Sequence, residues 1–333
     1  LDFSRATSGV TFSVAANIAA AVTVADGQGG TDTVANFENV TGGLGNDTFT
    51  GDSQANILRG EGGDDTLVDG DGSDTIYGGA GDDTFVVTQD NQNDYFYGGA
   101  GLDILDLSSE TSAFSAVWFY GGNTSVQNFY AGQSRNYYSE VEGIIGGSGN
   151  DTLRANTNVD VYLDGGIGND YVTGSNGNDT LIGGVGVDTI DGGSGNDLIH
   201  FNSSDVDNIN GNGGTDTLLF NVTEELDFAN TTLANIDRIE TFELGAGDQD
   251  VTLSGTNIID FVTSNNSTVD NTDYQNKMVL VIDSTEGSDS LTLTGGTWAD
   301  TGDTTSINGE GSYSVYYDSD NNVYVVTDID PGI

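Results

Sequence analysis

Residues 165–199 read GGIGNDYVT, GSNGNDTLI, GGVGVDTID and GGSGNDLI. The same order returns every nine residues: glycines, then an aspartate, then a short apolar pair, or G-G-x-G-x-D-x-U-x with U apolar. Glycines at the first, second and fourth positions let the backbone take positive φ and turn sharply with its carbonyls facing inward. The apolar position and its neighbours are long enough for a strand of about two or three residues. One nonapeptide is therefore a turn followed by a short strand.

Two such units make a full coil, so turns alternate between two edges. Loops on the same edge then lie about eighteen residues apart in sequence and roughly 4.8 Å apart in space. Aspartates stacked at that distance repel unless a cation sits between them. Calcium suits the gap: it is hard, takes six to eight oxygens and tolerates irregular geometry, whereas magnesium demands a tighter octahedron and its own waters. The loop offers carboxylates and carbonyls but no sulfur or imidazole. A single GGxGxD reads equally well as a flexible linker; repeated copies in phase with an apolar position do not.

These nonapeptides resemble the RTX calcium-binding β-roll of large bacterial proteins exported by type I secretion, adhesins and surface proteins among them. The resemblance implies an all-β chain: a right-handed parallel β-roll, that is a calcium-binding β-solenoid, in two tandem segments with a β-rich C-terminal cap. It also implies a secreted, extracellular and cell-surface setting.

Composition agrees with ligand supply. The 333 residues hold 6 Lys+Arg against 53 Asp+Glu, a formal net charge of -47. With no basic footprint, nucleic acid is excluded as a partner. Most of the acids are aspartates, the shorter side chain preferred in tight calcium loops. Cysteine is absent, so a secreted chain of this size needs another staple, and bound metal is the available one. No apolar run is long enough to span a membrane. The opening LDFSRATSG lacks a basic n-region and apolar core, so no Sec-type signal is expected there, and type I export would need none.

Leu1-Asp2-Phe3-Ser4 recurs as Leu105-Asp106-Leu107-Ser108, and the loop from Gly42 recurs from Gly146 at the same offset. The chain reads as a tandem duplication of roughly a hundred residues, opening inside a larger array, each copy a strand-rich lead followed by a calcium ladder. The expected divisions are 1–104 (lead plus ladder 42–106), 105–219 (second lead plus ladder 146–219) and 220–333 (a decayed third unit and the cap). In ladder one Asp47, Asp65, Asp74, Asp83 and Asp103 hold the ligand position. Asn56 replaces the aspartate in a loop without the glycine motif and should bind weakly or not at all. A two-residue slip makes Asp94 a doubtful ligand. Ladder two offers Asp151, Asp170, Asp179, Asp188, Asp197, Asp207 and Asp216, with Asp160 weaker and the glycines lost around Asp207. Carbonyl donors are expected at Gly43, Gly45, Gly79, Gly81, Gly147, Gly149, Gly166, Gly168, Gly184, Gly186, Gly193 and Gly195. Ions shared between same-edge loops would number on the order of eight.

A third opening, Leu226-Asp227-Phe228, leads into one imperfect loop around Asp248 and Asp250. Beyond it VLVI, LTLT, YSVYY and VYVV read as a small antiparallel cap that ends solenoid growth. The second lead is rich in rings: Trp118, Phe119, Tyr120, Phe129, Tyr130, Tyr137 and Tyr138 either cover the side of the roll or form a platform for glycan binding.

Catalytic constellations are missing. One histidine, His200, cannot supply H-E-x-x-H; there is no thiol and no G-x-S-x-G. The expected function is a non-enzymatic calcium-binding structural module of an adhesin or surface-layer assembly that folds on calcium after export. The alternative is the secretion and folding module of a secreted protease, lipase or epimerase; a carbohydrate- or ice-binding face, built on the threonines that follow the ligand aspartates, is a weaker one. Partners on these readings are calcium, neighbouring copies of the chain and a cell-surface glycan.

Overall fold

The structure is a computed structural model. It describes residues 1–13, 37–117 except 89 and 91, 135–201 except 157, and 208–220; elsewhere it describes only the strands named below and Ile239. All regular structure among these residues is β. The x-U-x tail of a nonapeptide forms a three-residue strand whose middle residue alone is buried, as in Thr48–Thr50, Thr66–Val68, Thr84–Val86 and Ile104–Asp106. Period-two alternation thus survives in its shortest form.

Residues Leu1–Asp170 form one compact unit and Tyr171–Ile333 another. In the first, one parallel sheet stacks Thr11–Ser13, Thr48–Thr50, Thr66–Val68, Thr84–Val86, Ile104–Asp106, Gly143–Ile145 and Tyr162–Asp164. A second parallel sheet stacks Asn39–Thr41, Ile57–Gly62, Thr75–Ala80, Tyr95–Ala100 and Arg135–Ser139. Consecutive ladder strands alternate between these sheets, which is the coil expected from two nonapeptides: a parallel β-roll. Its core is one apolar column per sheet, with Phe49, Leu67, Phe85, Leu105, Ile144 and Leu163 on one side and Val40, Leu58, Ile76, Phe96 and Tyr138 on the other, all buried. Phe85 and Phe96 meet edge to face at 5.7 Å. About one buried apolar side chain per nine residues is a thin return against chain entropy, so the loops must contribute to stability.

The duplication extends to hydrogen bonds. Phe3 N–H donates to Thr41 O and Leu107 N–H to Ile145 O; Leu44 N–H donates to Ala6 O and Ser148 N–H to Glu110 O, each pair at one offset. Thr11–Ser13 pairs with Thr48–Thr50 just as Ser115–Val117 pairs with Thr152–Arg154. Each lead then holds an antiparallel pair, Val22–Ala25 with Thr31–Val34 and Ser125–Asn128 with Arg135–Ser139.

In Tyr171–Ile333 one sheet stacks Thr180–Ile182, Leu198–Phe201, Thr217–Phe220, Thr241–Leu244, Met278–Ser284 and Val323–Thr327 in parallel. Tyr171–Thr173, Thr189–Ser194, Asn208–Gly213 and Ile236–Asp237 form another. Leu226–Asp227, Asp250–Ser254 and Ser290–Thr294 form a third. Val172, Leu181, Ile190, Ile199, Ile209, Leu218, Ile236 and Ile239 are buried. The expected antiparallel cap is smaller than the sequence suggested. VLVI and LTLT are parallel rungs, and among the described residues of this region the antiparallel pairs are those of Glu310–Asp318 with its neighbours Val323–Thr327 and Trp298–Ile307. Alternation reports a half-buried strand and is silent on its direction, which depends on where the chain returns. Trp298–Ile307 ends its sheet with two register shifts, a local irregularity that discourages further pairing.

Candidate metal centre

The ligand aspartates form a ladder of their own. Along one edge of the first unit Asp47, Asp65, Asp83 and Asp103 are buried. Asp47 N–H donates to Asp65 Oδ1 at 2.6 Å, Asp65 N–H to Asp83 Oδ1 at 2.8 Å, and Asp83 N–H to Asp103 Oδ1 at 2.9 Å. The first-position glycine is what makes room: a Cβ at Gly60, Gly78 or Gly98 would collide with Oδ2 of Asp65, Asp83 or Asp103 in the same loop. Gly79 and Gly81 take φ of 128° and 131°, and a Cβ on them would strike the carbonyl oxygens of Glu61 and Gly63 in the preceding loop. Gly99 and Gly101 meet the carbonyls of Gly79 and Gly81 in the same way. Two columns of backbone oxygen therefore run beside the column of carboxylates.

On the other edge Asn56 N–H donates to Asp74 Oδ1 at 2.7 Å and Asp74 N–H to Asp94 Oδ1 at 2.9 Å. The second ladder repeats the arrangement: Phe114 N–H to Asp151 at 2.9 Å, Asp151 N–H to Asp170 at 2.6 Å. In the second unit Asp179 N–H donates to Asp197 at 2.8 Å and Asp197 N–H to Asp216 at 2.9 Å, and Asp188 is buried.

Asp65, Asp74, Asp83 and Asp103 each have one oxygen satisfied and the other not. Oδ2 of Asp65, Asp74, Asp83 and Asp103 is buried with no hydrogen-bond donor. Burial pushes Asp65, Asp74 and Asp83 up to about 7, against the backbone N–H that holds each down, and neighbouring carboxylates add to the rise. Asp94 and Asp103 are pushed up to about 6 for the same reasons. Asp47 and Asp151, at the start of their ladders, differ: Oδ2 accepts the N–H of Gly43 at 2.8 Å and of Gly147 at 3.3 Å, and burial raises both. Buried acceptors without donors, beside columns of carbonyl oxygen, fit a hard cation. Among the described residues no three acidic or histidine side chains gather as a ready-made centre, and an ion held here would find its further oxygens in the neighbouring backbone carbonyls.

Comparison with known families agrees. The family described as RTX calcium-binding nonapeptide repeat (4 copies) matches residues 37–67, 59–91, 90–109, 144–162 and 164–199. The chain carries an RTX calcium-binding repeat region. No curated protein matches the chain.

Within these RTX repeats the departures from consensus have physical consequences. Asn56 is buried and satisfied by protein alone: its Oδ1 accepts Asp52 N–H at 2.7 Å and its Nδ2 donates to Glu38 O at 2.9 Å. Asp94, doubtful in the sequence, is an integral rung, because the two extra residues are absorbed before it and Tyr95 stays level with Thr75. Asp160 is exposed, and the buried Val161 next to it precedes the strand instead. Asp207 lies outside the described residues, as does Asp248. Gly147 and Gly149 turn their carbonyls toward Gly166 and Gly168, and Gly195 toward Gly214. Gly184, Gly186 and Gly193 have positive φ of 100°, 141° and 104°. Gly45 packs its backbone against Gly63, and the Gly43 carbonyl lies 3.8 Å from where a Cβ on Gly62 would be.

Several members of the RTX roll were not singled out in sequence. Glu142 closes the first edge by accepting Asp103 N–H at 3.2 Å, and Asn136 closes the other by accepting Asp94 N–H at 3.1 Å. Where the residue before a ligand is Asn or Asp, it builds an outer ladder of opposite sense on several loops. Asn46 Oδ1 accepts Asp64 N–H at 3.0 Å, Asp64 Oδ1 accepts Asp82 N–H at 3.0 Å, and Asp82 Oδ1 accepts Leu102 N–H at 2.8 Å. Asn178 and Asn196 do likewise for Asn196 and Thr215. Its signal was the recurring Asn-Asp or Asp-Asp pair. His200 is half-buried, which lowers its pKa.

Of the rings in the second lead, Tyr138 is buried in the core and Tyr137 stacks on Tyr95 at 4.8 Å; Tyr77 stacks on Tyr97 at 4.8 Å with Arg59 over its other face. These rings spend their faces on one another at the strand spacing. Trp118, Phe119, Tyr120, Phe129 and Tyr130 lie outside the described residues. The threonine column holds for Thr11, Thr48, Thr66 and Thr84 and then passes to Ile104 and Gly143.

Proposed function

We propose that the chain is a calcium-dependent, non-catalytic structural module of a secreted or cell-surface bacterial protein of the adhesin or surface-assembly type, exported unfolded by a type I route. The observation that carries this reading is the row of buried Oδ2 atoms without donors at Asp65, Asp74, Asp83 and Asp103. Bound calcium supplies the positive charge that such a row lacks. The aspartates are rungs: with one oxygen Asp65, Asp83 and Asp103 each hold the backbone of the previous coil, and they keep the other buried beside the first-position glycine of their own loop, an arrangement suited to a structural role. Where free calcium is low, the stacked carboxylates repel, the thin core cannot offset chain entropy, and the chain stays threadable. At millimolar calcium, several sites together stabilise the fold by mass action.

Far-ultraviolet circular dichroism of the chain with chelator and with millimolar calcium at pH 7.5 tests this. A coil-like spectrum turning to β on calcium addition is expected. A β spectrum indifferent to chelator would sink the reading. Export is tested separately, by co-expression with a type I exporter in cells whose cytosolic calcium is raised: premature folding should block release into the medium.

A further inference from the structure

The fourth loop of the first ladder breaks the repeat at its first position, where Asp69 stands in place of glycine. Asp69 is fully buried. Its Oδ1 accepts the N–H of Gly70 in its own loop and of Thr88 in the sixth loop, both at 2.7 Å, so the carboxylate bridges the two loops. Its Oδ2 is buried and has no donor, and the same is true of Oδ2 of Asp74 in that loop. Facing them on the sixth loop is Asp94, buried and hydrogen-bonded to Asp74 N–H at 2.9 Å. Burial raises Asp69 well above the carboxylate range, and the Asp94 charge raises it further.

The sixth loop, residues 87–97, has no glycine before its ligand aspartate. It therefore offers none of the glycines that take positive φ in other loops, as at Gly79 and Gly81. A gap with fewer backbone oxygens needs another donor, and a second carboxylate is the donor on hand. We propose that the fourth and sixth loops hold a divalent cation, calcium, with Asp69 and Asp94 as its carboxylate ligands, a site outside the repeat's glycine pattern. The proposal rests on the calcium-binding reading above.

Glycine is what the repeat itself would place at this position, so Asp69→Gly separates a ligand from a mere departure. Asp69→Asn is the milder variant, since its amide oxygen can keep both Oδ1 hydrogen bonds while the charge is lost. The exposed Asp71→Asn is the control. Calcium bound per chain is counted by equilibrium dialysis across a titration, with circular dichroism on each sample. Asp69→Gly and Asp69→Asn should each bind one ion fewer, or bind one ion about tenfold more weakly, while Asp71→Asn matches the parent. The double variant Asp69→Asn/Asp94→Asn should lose no second ion, because both side chains serve one site. If Asp69→Gly binds as many ions as tightly as the parent, Asp69 is only a substituted glycine and the proposal fails. A parent chain that binds no calcium at all would overturn the wider reading and this one with it.

Discussion

Along one edge of the first ladder Asp47, Asp65, Asp83 and Asp103 follow glycine-rich loops; along the other, Asn56 and Asp94 follow loops that have lost theirs. Yet Asp74 and Asp94 make the same hydrogen bond as Asp65 and Asp83, with distances between 2.6 and 2.9 Å on both edges. The repeat therefore encodes two separable things. The aspartate ladder follows from strand register, which the apolar position holds even across the insertion before Asp94. The carbonyl columns follow from positive φ, which recurs through three loops of the glycine-rich edge, at Glu61, Gly63, Gly79, Gly81, Gly99 and Gly101, and among the described residues of the other edge is found at Gly70 and Gly72 of a single loop.

The largest effect should come from pH, and it should treat the two edges alike. Asp65 and Asp83 on one edge and Asp74 on the other are raised to about 7, with Asp103 and Asp94 at about 6. Unfolded aspartates titrate at about 3.9, so between about pH 4 and pH 7 the ion-free fold binds more protons than the unfolded chain. Its stability therefore falls as pH rises through that window, and the penalty is complete above about 7. In calcium-free buffer the chain should gain β structure as pH is lowered from 7.5 to 4.5, and calcium affinity should weaken over the same range. Ion-free β structure that grew with rising pH would contradict the ladder assignment.

A second effect should split the edges. Gly81→Ala places a Cβ against Gly63 O at a φ of 131°, which costs about 1–3 kcal/mol. Gln54, at the corresponding place in the second loop, is exposed, and Gln54→Ala should stay within about 0.5 kcal/mol of the parent. Urea unfolding in saturating calcium measures both. Equal midpoints would mean that the carbonyl columns contribute nothing beyond the aspartate ladder.

The same division explains what could be read in the sequence. A nine-residue period with one apolar position decides the coil, the two sheets and the core column from Phe49 to Leu163, because strand register leaves those residues a single face. It also places ligands wherever loop length is constant. Where length changes, local reading loses the phase: Asp94 is in the ladder and Asp160 is not, although both sit in loops without the glycine pattern. What decides is whether the extra residues fall before the aspartate or displace it, and that depends on strand pairing. Glu142 and Asn136 were invisible for a further reason. They meet Asp103 and Asp94 from 39 and 42 residues further along the chain, a contact with no periodicity to announce it.

The smallest effect is the most pointed test of the glycine-poor edge. Asn56→Asp restores the consensus ligand, and consensus alone would make it stabilising. In the fold, however, Asn56 Nδ2 donates to Glu38 O at 2.9 Å, and its Oδ1 already takes Asp52 N–H. A carboxylate would lose that donor and set an oxygen against an oxygen, at a cost of about 1 kcal/mol. The second loop has no glycine at its second or fourth position, yet the carbonyls of Asp52 and Gln54 standing there already face Gly70 and Gly72 of the fourth loop, so the substitution changes the side chain alone and turns no further backbone oxygen toward an ion. The calcium midpoint for folding should therefore rise slightly, by less than about tenfold, with no gain in ions bound. A lower midpoint together with one additional ion would show that the aspartate ladder by itself makes a site, and that the glycine columns are dispensable for binding on either edge.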